Sequence, residues 1–287
     1  MKEVVVLSGK GGTGKTTVLG AFAYWFENKV LVDADVDASN LPLILNPRSV
    51  RAERFLAGYE ARKDGSRCVG CGICLEKCRF GAVSEDFEID PLLCEGCGVC
   101  AWFCPEEAIR MEVKETGDIF EGESDYGPLI YAELFPGEEN SGKLVSEVKR
   151  RGRELAKEQN KKFLLVDGPP GIGCPVIAAL SGADLVVLVA EPTVSGIHDL
   201  RRVGELVKHF RLPGYLLINK ADLDPENAEN LKKSAKTLDF SFLGEVPYDP
   251  EVFEALKAGR PLPEISQGKA ARALEKVYLK LKEEVSS

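Results

Sequence analysis

Long hydrophobic runs are missing from this sequence. None approaches the ~20 residues that span a bilayer, and residues 185–190 are among the longest, so no membrane insertion is expected. Net positive charge is missing too. Thirty-seven Lys and Arg stand against 46 Asp and Glu, a formal charge of −9, which argues against a nucleic-acid binder held by overall charge. Met1-Lys2-Glu3 runs straight into Val4-Val5-Val6-Leu7, so no signal peptide is expected and the location is read as cytoplasmic. Methionine and glutamine are scarce, two of each against 29% charged residues, a balance that leans toward a heat-stable protein. Cysteine is missing from most of the chain: eight of the nine lie between Cys68 and Cys104.

What remains is a 287-residue chain, 44% hydrophobic, enough for one large α/β domain or two smaller ones. Residues 3–7 read as a strand, followed by a glycine-rich turn and a helix over 16–27. Residues 29–32 form a second strand ending in Asp33, and later apolar runs cover 163–166, 185–190, 215–218 and 242–246. Short apolar strands alternating with helices imply an α/β fold: a mostly parallel sheet with helices on both faces. The cysteine-rich stretch differs in composition. It reads as a small α+β module inserted at 64–112 into an α/β domain made of 1–63 and 113–287.

The turn is Gly9-Lys10-Gly11-Gly12-Thr13-Gly14-Lys15-Thr16-Thr17. Gly9-x4-Gly14-Lys15-Thr16 between a strand and a helix is a phosphate-binding loop. Its backbone N–H groups and the helix N-terminus cradle phosphate, Lys15 reaches the β- and γ-phosphates, and Thr16 ligates Mg²⁺. Residues 137–143 repeat the spacing but end in Leu144, lack the metal-binding hydroxyl and follow no clear strand, so they are set aside.

Cys68, Cys71, Cys74 and Cys78 recur 26 residues later as Cys94, Cys97, Cys100 and Cys104. Each run has the C-x2-C-x2-C-x3-C spacing of bacterial ferredoxins, in which the fourth cysteine serves the other cluster. Cluster one then takes Cys68, Cys71, Cys74 and Cys104, and cluster two takes Cys78, Cys94, Cys97 and Cys100. Pro105 follows the second run, whereas Arg79 stands at that place after the first. Disulfides do not suit a cytosolic chain, and zinc does not call for four cysteines within eleven residues, repeated.

The early extra lysine of Lys10-Gly11-Gly12-Thr13-Gly14-Lys15-Thr16-Thr17 resembles the deviant Walker A motif. That motif marks the MinD/ParA family of P-loop ATPases and its relatives, the nitrogenase iron protein and the Mrp-type cluster carriers. The resemblance covers nearly the whole chain: a P-loop ATPase of this kind with an inserted two-cluster ferredoxin. It implies that ATP closes a homodimer and that Lys10 reaches the partner's phosphates. It makes Lys10, Lys15 and Asp35 catalytic, with Asp35 orienting the attacking water. Asp167, ending the apolar run 163–166, resembles Walker B. Thr16, Asp33, Asp35 and Asp167 are the candidates for Mg²⁺, and one of Asp33, Asp35 and Asp37 is expected to be only a turn or helix cap. Asn219 and Pro247 resemble the family's adenine-contacting positions. Asn219-Lys220-Ala221-Asp222 also fits the guanine-reading pattern, through Asp222; ATP is favoured and GTP is the alternative.

Cys174 lies seven residues after Asp167, near where the nitrogenase iron protein has a cluster-ligating cysteine. Asn140 stands where that protein's other ligand would be, so a complete bridging cluster is not expected. Cys174 is either a small buried side chain or a dimer-interface thiol. The basic run 149–153 reads as a solvated helix face, His198 as a packed or capping histidine, and 270–285 as a helix docked on the sheet. The resulting expectation is an ATPase whose dimer cycle is coupled to two [4Fe-4S] clusters, for ATP-gated electron transfer to an unidentified redox partner. The alternatives are a carrier or scaffold in metal-cofactor assembly and a MinD-like positioning switch with a redox sensor.

Overall fold

The computed structural model describes residues 1–138 and 141–286. Its elements, in chain order, are β1 (Lys2–Ser8), α1 (Lys15–Trp25), β2 (Lys29–Asp33), α2 (Leu41–Leu45), β3 (Arg48–Lys63), α3 (Ile73–Lys77), α4 (Val99–Trp102), β4 (Ile109–Ser124), β5 (Gly127–Leu134), α5 (Ser141–Glu158), β6 (Phe163–Pro170), α6 (Cys174–Leu180), β7 (Leu185–Ala190), α7 (Val194–His209), β8 (Gly214–Asn219), α8 (Pro225–Thr237), β9 (Ser241–Val246), α9 (Glu251–Lys257), α10 (Leu262–Ile265) and α11 (Lys269–Ser286). They divide into two compact units. One comprises Met1–Glu53, Ile119–Glu133 and Ser141–Ser287; the other comprises Arg54–Asp118 and Leu134–Asn140.

In the first unit the strands run β5-β2-β6-β1-β7-β8-β9, and each neighbouring pair is parallel. Side chains alternate between the faces of a strand. Val4, Val6, Leu31 and Leu165 join α1 (Leu19, Phe22) and α11 (Leu274, Val277, Leu281) in one buried cluster. Between those positions Val32 and Leu164 meet α5 so closely that a Cβ on Gly152 would lie 2.5 Å from Val32. Burial on both faces explains why β1 and β7 are continuous apolar runs. The 18-residue α11 is a helix docked by its apolar stripe, as expected for 270–285.

β3, β4 and β5 were not anticipated. They take the order β3-β4-β5, and β3 and β4 each contain residues of both units. The first seven residues of β3 are exposed, so no apolar period marks it. β5 ends at Leu134, so the set-aside loop at 137–143 does follow a strand, contrary to the sequence reading. Leu144, where a phosphate loop needs a hydroxyl, is completely buried on α5.

The second unit holds the cysteine-rich stretch. Each half of the repeat carries a short helix, α3 or α4, entered through a glycine in the left-handed region (Gly72, φ 76°; Gly98, φ 74°). Of residues 64–111, only Ala82, Val83, Ala108 and Ile109 are buried apolar side chains. That is a very small core for 48 residues.

Candidate functional site

Parallel strands place their C-terminal ends along one edge, and in open α/β sheets ligands bind there. This edge collects the loop after β1, Asp33 at the end of β2, Asp167 in β6, Glu191 after β7 and Asn219 at the end of β8. The β1–α1 loop turns through Gly12 (φ 78°) and Gly14 (φ 92°), and the carbonyl of Gly14 accepts the first α1 hydrogen bond, from Val18. Gly9 meets a different demand: a Cβ there would sit 2.2 Å from the Cβ of Asp199. A cavity of about 610 Å³ opens beside the loop. Gly11, Gly12, Gly14, Lys15, Thr16 and Thr17 line it, with Asp35 and Asp37 opposite and Leu43, Ile44 and Leu256 as an apolar wall.

The three candidate carboxylates fill different roles. Asp33 is fully buried and already accepts from the backbone N–H groups of Asp35 (3.0 Å) and Leu41 (2.9 Å) and from the Ser39 hydroxyl (2.9 Å). It is the aspartate that ties the β2–α2 loop. Asp35 sits 3.9 Å from the ammonium of the buried Lys15. Burial pushes its carboxyl up to about 6, against the pull of Lys15. Asp37 is exposed. Asp167, the register partner of Asp33, is buried, and neither of its oxygens has a well-formed hydrogen bond. Burial first, then the charge of Asp33, pushes its carboxyl well above the usual range; the Thr16 hydroxyl facing it acts in the opposite direction. An unsatisfied buried carboxylate beside a threonine hydroxyl, with one lysine among several acids, is a donor set that fits a hard divalent cation such as Mg²⁺.

Lys10 does not point into that cavity. Its ammonium lies 3.6 Å from Glu191 and within hydrogen-bond reach of the hydroxyls of Thr193 (3.3 Å) and Ser195 (3.2 Å) in the same chain. The other oxygen of Glu191 binds Lys220 at 2.5 Å, and Lys220 also reaches the Gly12 carbonyl at 3.4 Å. Sequence reasoning missed Glu191 and Lys220. The available signal was Glu191-Pro192-Thr193 directly after an apolar strand, where the edge of the sheet needs polar partners.

The expected base-contacting residues come together behind the loop and do not line the large cavity. Asn219 donates to the Thr13 carbonyl (2.8 Å), and its own carbonyl accepts from the Lys220 N–H (3.0 Å). Asp222 accepts from the N–H of Tyr248 (2.6 Å), the residue after Pro247, and from Lys269 (3.3 Å). These donors, the Tyr248 N–H first, hold its carboxyl below the usual range.

The cysteines line two separate small cavities. Cys68, Cys71, Cys74 and Cys104 border one; Cys78, Cys94, Cys97 and Cys100 border the other. Among the described residues no three Cys, His, Asp or Glu side chains converge on a point that would suit a single metal ion. Four thiols spread round a cavity suit a larger cluster, whose iron atoms each take one thiolate. Backbone N–H groups serve the sulfurs: Ala108 donates to Cys104 at 3.3 Å, and the N–H groups of Leu75 and Ala101 act on Cys74 and Cys100. Burial raises the Cys74 and Cys100 thiols, and those N–H groups oppose it. The positive φ of Gly70 and Gly96, like that of Gly72 and Gly98, lets the loops curl inward without a Cβ clash.

Two minor expectations change, and one of the two readings of Cys174, the small buried side chain, does not hold. The basic run is not a solvated face: Lys149 is buried and pairs with buried Glu3 at 2.8 Å, and Arg153 binds the same carboxylate at 2.6 Å. His198 is exposed, 3.6 Å from Asp199, and the α7 cap is Thr193, which accepts from the Gly196 N–H. Cys174 is an exposed thiol at the start of α6. Asn140 lies outside the described residues.

A parallel α/β sheet carrying a phosphate loop between its central strand and first helix defines a P-loop nucleotide-binding protein. Residues 4–262 match the CobQ/CobB/MinD/ParA nucleotide binding domain, and the chain belongs to that family. It is 34% identical over 286 residues to an uncharacterized protein of Methanocaldococcus jannaschii, covering 98% of this chain and 96% of that one. It is 24% identical over 302 residues to the iron-sulfur cluster carrier protein of the same organism, covering 99% and 84%. Its fold is like that of the septum site-determining protein MinD from Pyrococcus horikoshii, whose structure is complexed with Mg-ADP. The TM-score is 0.60 at 17% identity, over 98% of this chain and 95% of that one.

Proposed function

We propose that this chain hydrolyses ATP in an ATP-dependent homodimer and couples that cycle to two [4Fe-4S] clusters for electron transfer. The observation that carries the reading is the division of the eight clustered cysteines into two four-thiol cavities, in a unit with almost no apolar core. A stretch so poor in buried side chains needs a bound metal group to stay folded. Cys68, Cys71, Cys74 and Cys104 would hold one cluster, and Cys78, Cys94, Cys97 and Cys100 the other. Each supplies a one-electron redox centre when bound.

In the nucleotide site Lys15 and the loop N–H groups bind phosphate. Thr16 and Asp167 would hold Mg²⁺, which would neutralise phosphate charge, and Asp33 acts by fixing the loop that presents Asp35. Asp35 orients the attacking water, and Lys10 stabilises the partner's transferring phosphoryl group once it leaves Glu191. Asn219, Asp222 and Pro247 form the base end. ATP is favoured over GTP because Asp222 is already occupied by Tyr248 and Lys269.

Anaerobic purification followed by iron, acid-labile sulfide and ATPase assays tests the reading. Eight-iron protein with Mg-dependent ATPase supports it; protein that folds and hydrolyses ATP without iron removes the redox half. A second reading, delivery of assembled clusters, is favoured by the relative named as an iron-sulfur cluster carrier and by the exposed thiol of Cys174. It predicts iron transfer to an apo-ferredoxin that Cys174→Ala slows.

A further inference from the structure

The 26-residue repeat makes an internal comparison possible. Cys74 and Cys100 are repeat mates, so Glu76 and Lys77 on the first half correspond to Trp102 and Phe103 on the second. At the same place after the cysteine, one half carries a solvated charged pair and the other an exposed aromatic pair. Trp102 is 86% exposed and Phe103 50%. Both hang from the wall of the second cavity: Trp102 donates its N–H to Gly98 and Phe103 to Val99, and both acceptors line it. On the other side of the same cysteine set, Leu92 (84% exposed) and Leu93 immediately precede Cys94. Exposure of this much apolar surface beside one cavity is unusual for a surface meant only for water.

The surroundings are acidic. Residues 64–111 carry nine Asp and Glu against four Lys and Arg. Glu95 follows Cys94 on the wall of the second cavity, and Glu106 and Glu107 follow Pro105; all three are exposed, Glu106 bordering the other cavity and Glu107 lying 3.6 Å from Arg67. Lys77, one of the few cations, is paired with Glu76 at 2.7 Å and lies 6.0 Å from the centre of the Phe103 ring. An apolar centre with an acidic rim is complementary to an apolar centre with a basic rim, which speeds encounter and fixes orientation.

We infer that the Trp102 edge is the docking site for a one-electron redox protein with an apolar, lysine-rimmed face. The inference rests on the reading that Cys78, Cys94, Cys97 and Cys100 hold a cluster. One electron passes between the reduced centre on one protein and the oxidised centre on the other, with no proton or group transferred. The second cluster is therefore the exchange point with the partner.

The test uses the full-length holoprotein and cytochrome c, a basic one-electron acceptor, with an acidic flavodoxin as the contrasting probe. Calorimetric titration should show cytochrome c binding that weakens steeply between about 20 and 200 mM salt, and no binding to flavodoxin. Trp102→Ser should raise Kd about tenfold or more and slow cytochrome reduction in parallel, while iron content and EPR spectrum stay as in the wild type. Leu279→Ser, at an exposed leucine of α11, should change neither. Equal Kd for Trp102→Ser and wild type, or no salt-sensitive complex, overturns the inference. So does a wild-type dimer that Trp102→Ser turns into monomers, which assigns the edge to a second copy of this chain. Failure of the cluster reading shows separately, as protein without iron or EPR signal before any cytochrome is added.

Discussion

Lys10 and Glu191 lie 3.6 Å apart in the same chain, and Glu191 holds Lys220 by its other oxygen. The lysine proposed to act across a dimer is thus held in cis by a carboxylate from the end of the neighbouring strand, β7. Removing that charge should free it. Glu191→Gln is expected to increase ATP-dependent dimerisation, measured by sedimentation with a non-hydrolysable ATP analogue. Lys10→Ala is expected to keep monomer nucleotide binding and to lower kcat about 10³-fold, the lower end for a cation supplied in trans.

Asp35 is placed by Lys15 and by the loop that Asp33 ties down. Asp35→Asn should keep the fold and nucleotide affinity and lower kcat by about 10²-fold, as expected for loss of a group that orients or accepts a proton from water. Asp33→Asn should instead lower stability, because the amide cannot accept from all three of its donors in their present arrangement. A comparison of nucleotide Kd, kcat and thermal unfolding for the two variants separates these roles.

The pairing of cysteines across the repeat gives a sharp spectroscopic expectation. Cys104→Ser should perturb the cluster held with Cys68, Cys71 and Cys74, although Cys104 follows Cys100 in sequence. Cys78→Ala should likewise affect the cluster of Cys94, Cys97 and Cys100. Each is expected to cut iron content by about half and to abolish any spin–spin splitting between two reduced clusters in EPR. Loss of the cluster belonging to the local cysteine run would contradict the assignment.

Legibility in the sequence followed how local the physics was. β1, β2 and β7 were readable because strands buried on both faces are continuous apolar runs. The phosphate loop was readable because its glycines and lysine are contiguous. β3 and β4 were not, because their exposed residues carry no burial period. Asp33 could not be told from Asp35 by pattern, since the difference is made by the N–H of Leu41, eight residues on. Glu191 and Lys149 were missed for the same reason: each is defined by a partner more than 100 residues away.

Glu3 and Lys149 give an unequal pair of stability expectations. Glu3→Ala leaves the buried ammonium of Lys149 without its counter-charge and should cost about 3–5 kcal/mol. Lys149→Met leaves Glu3 bound to Arg153 and should cost about 1–3 kcal/mol, mainly for the carbonyls of Ala178 and Ala179 that lose a donor, since Ser181 keeps Arg153. Burial lowers the Lys149 ammonium from 10.5 to about 8, against the charge of Glu3. Between those values the unfolded chain binds more protons than the folded one, so this group makes stability rise with pH from about 8 to 10.5. Denaturant unfolding across that range should show a shallower rise for Lys149→Met than for wild type.

The central claim is that nucleotide and clusters are energetically coupled. Its most direct test is an EPR-monitored redox titration of anaerobically purified protein, with and without Mg-ATP. The account predicts that Mg-ATP shifts the midpoint potential of at least one cluster, and that Lys15→Ala abolishes the shift without loss of iron. Two clusters with potentials indifferent to bound ATP would contradict it.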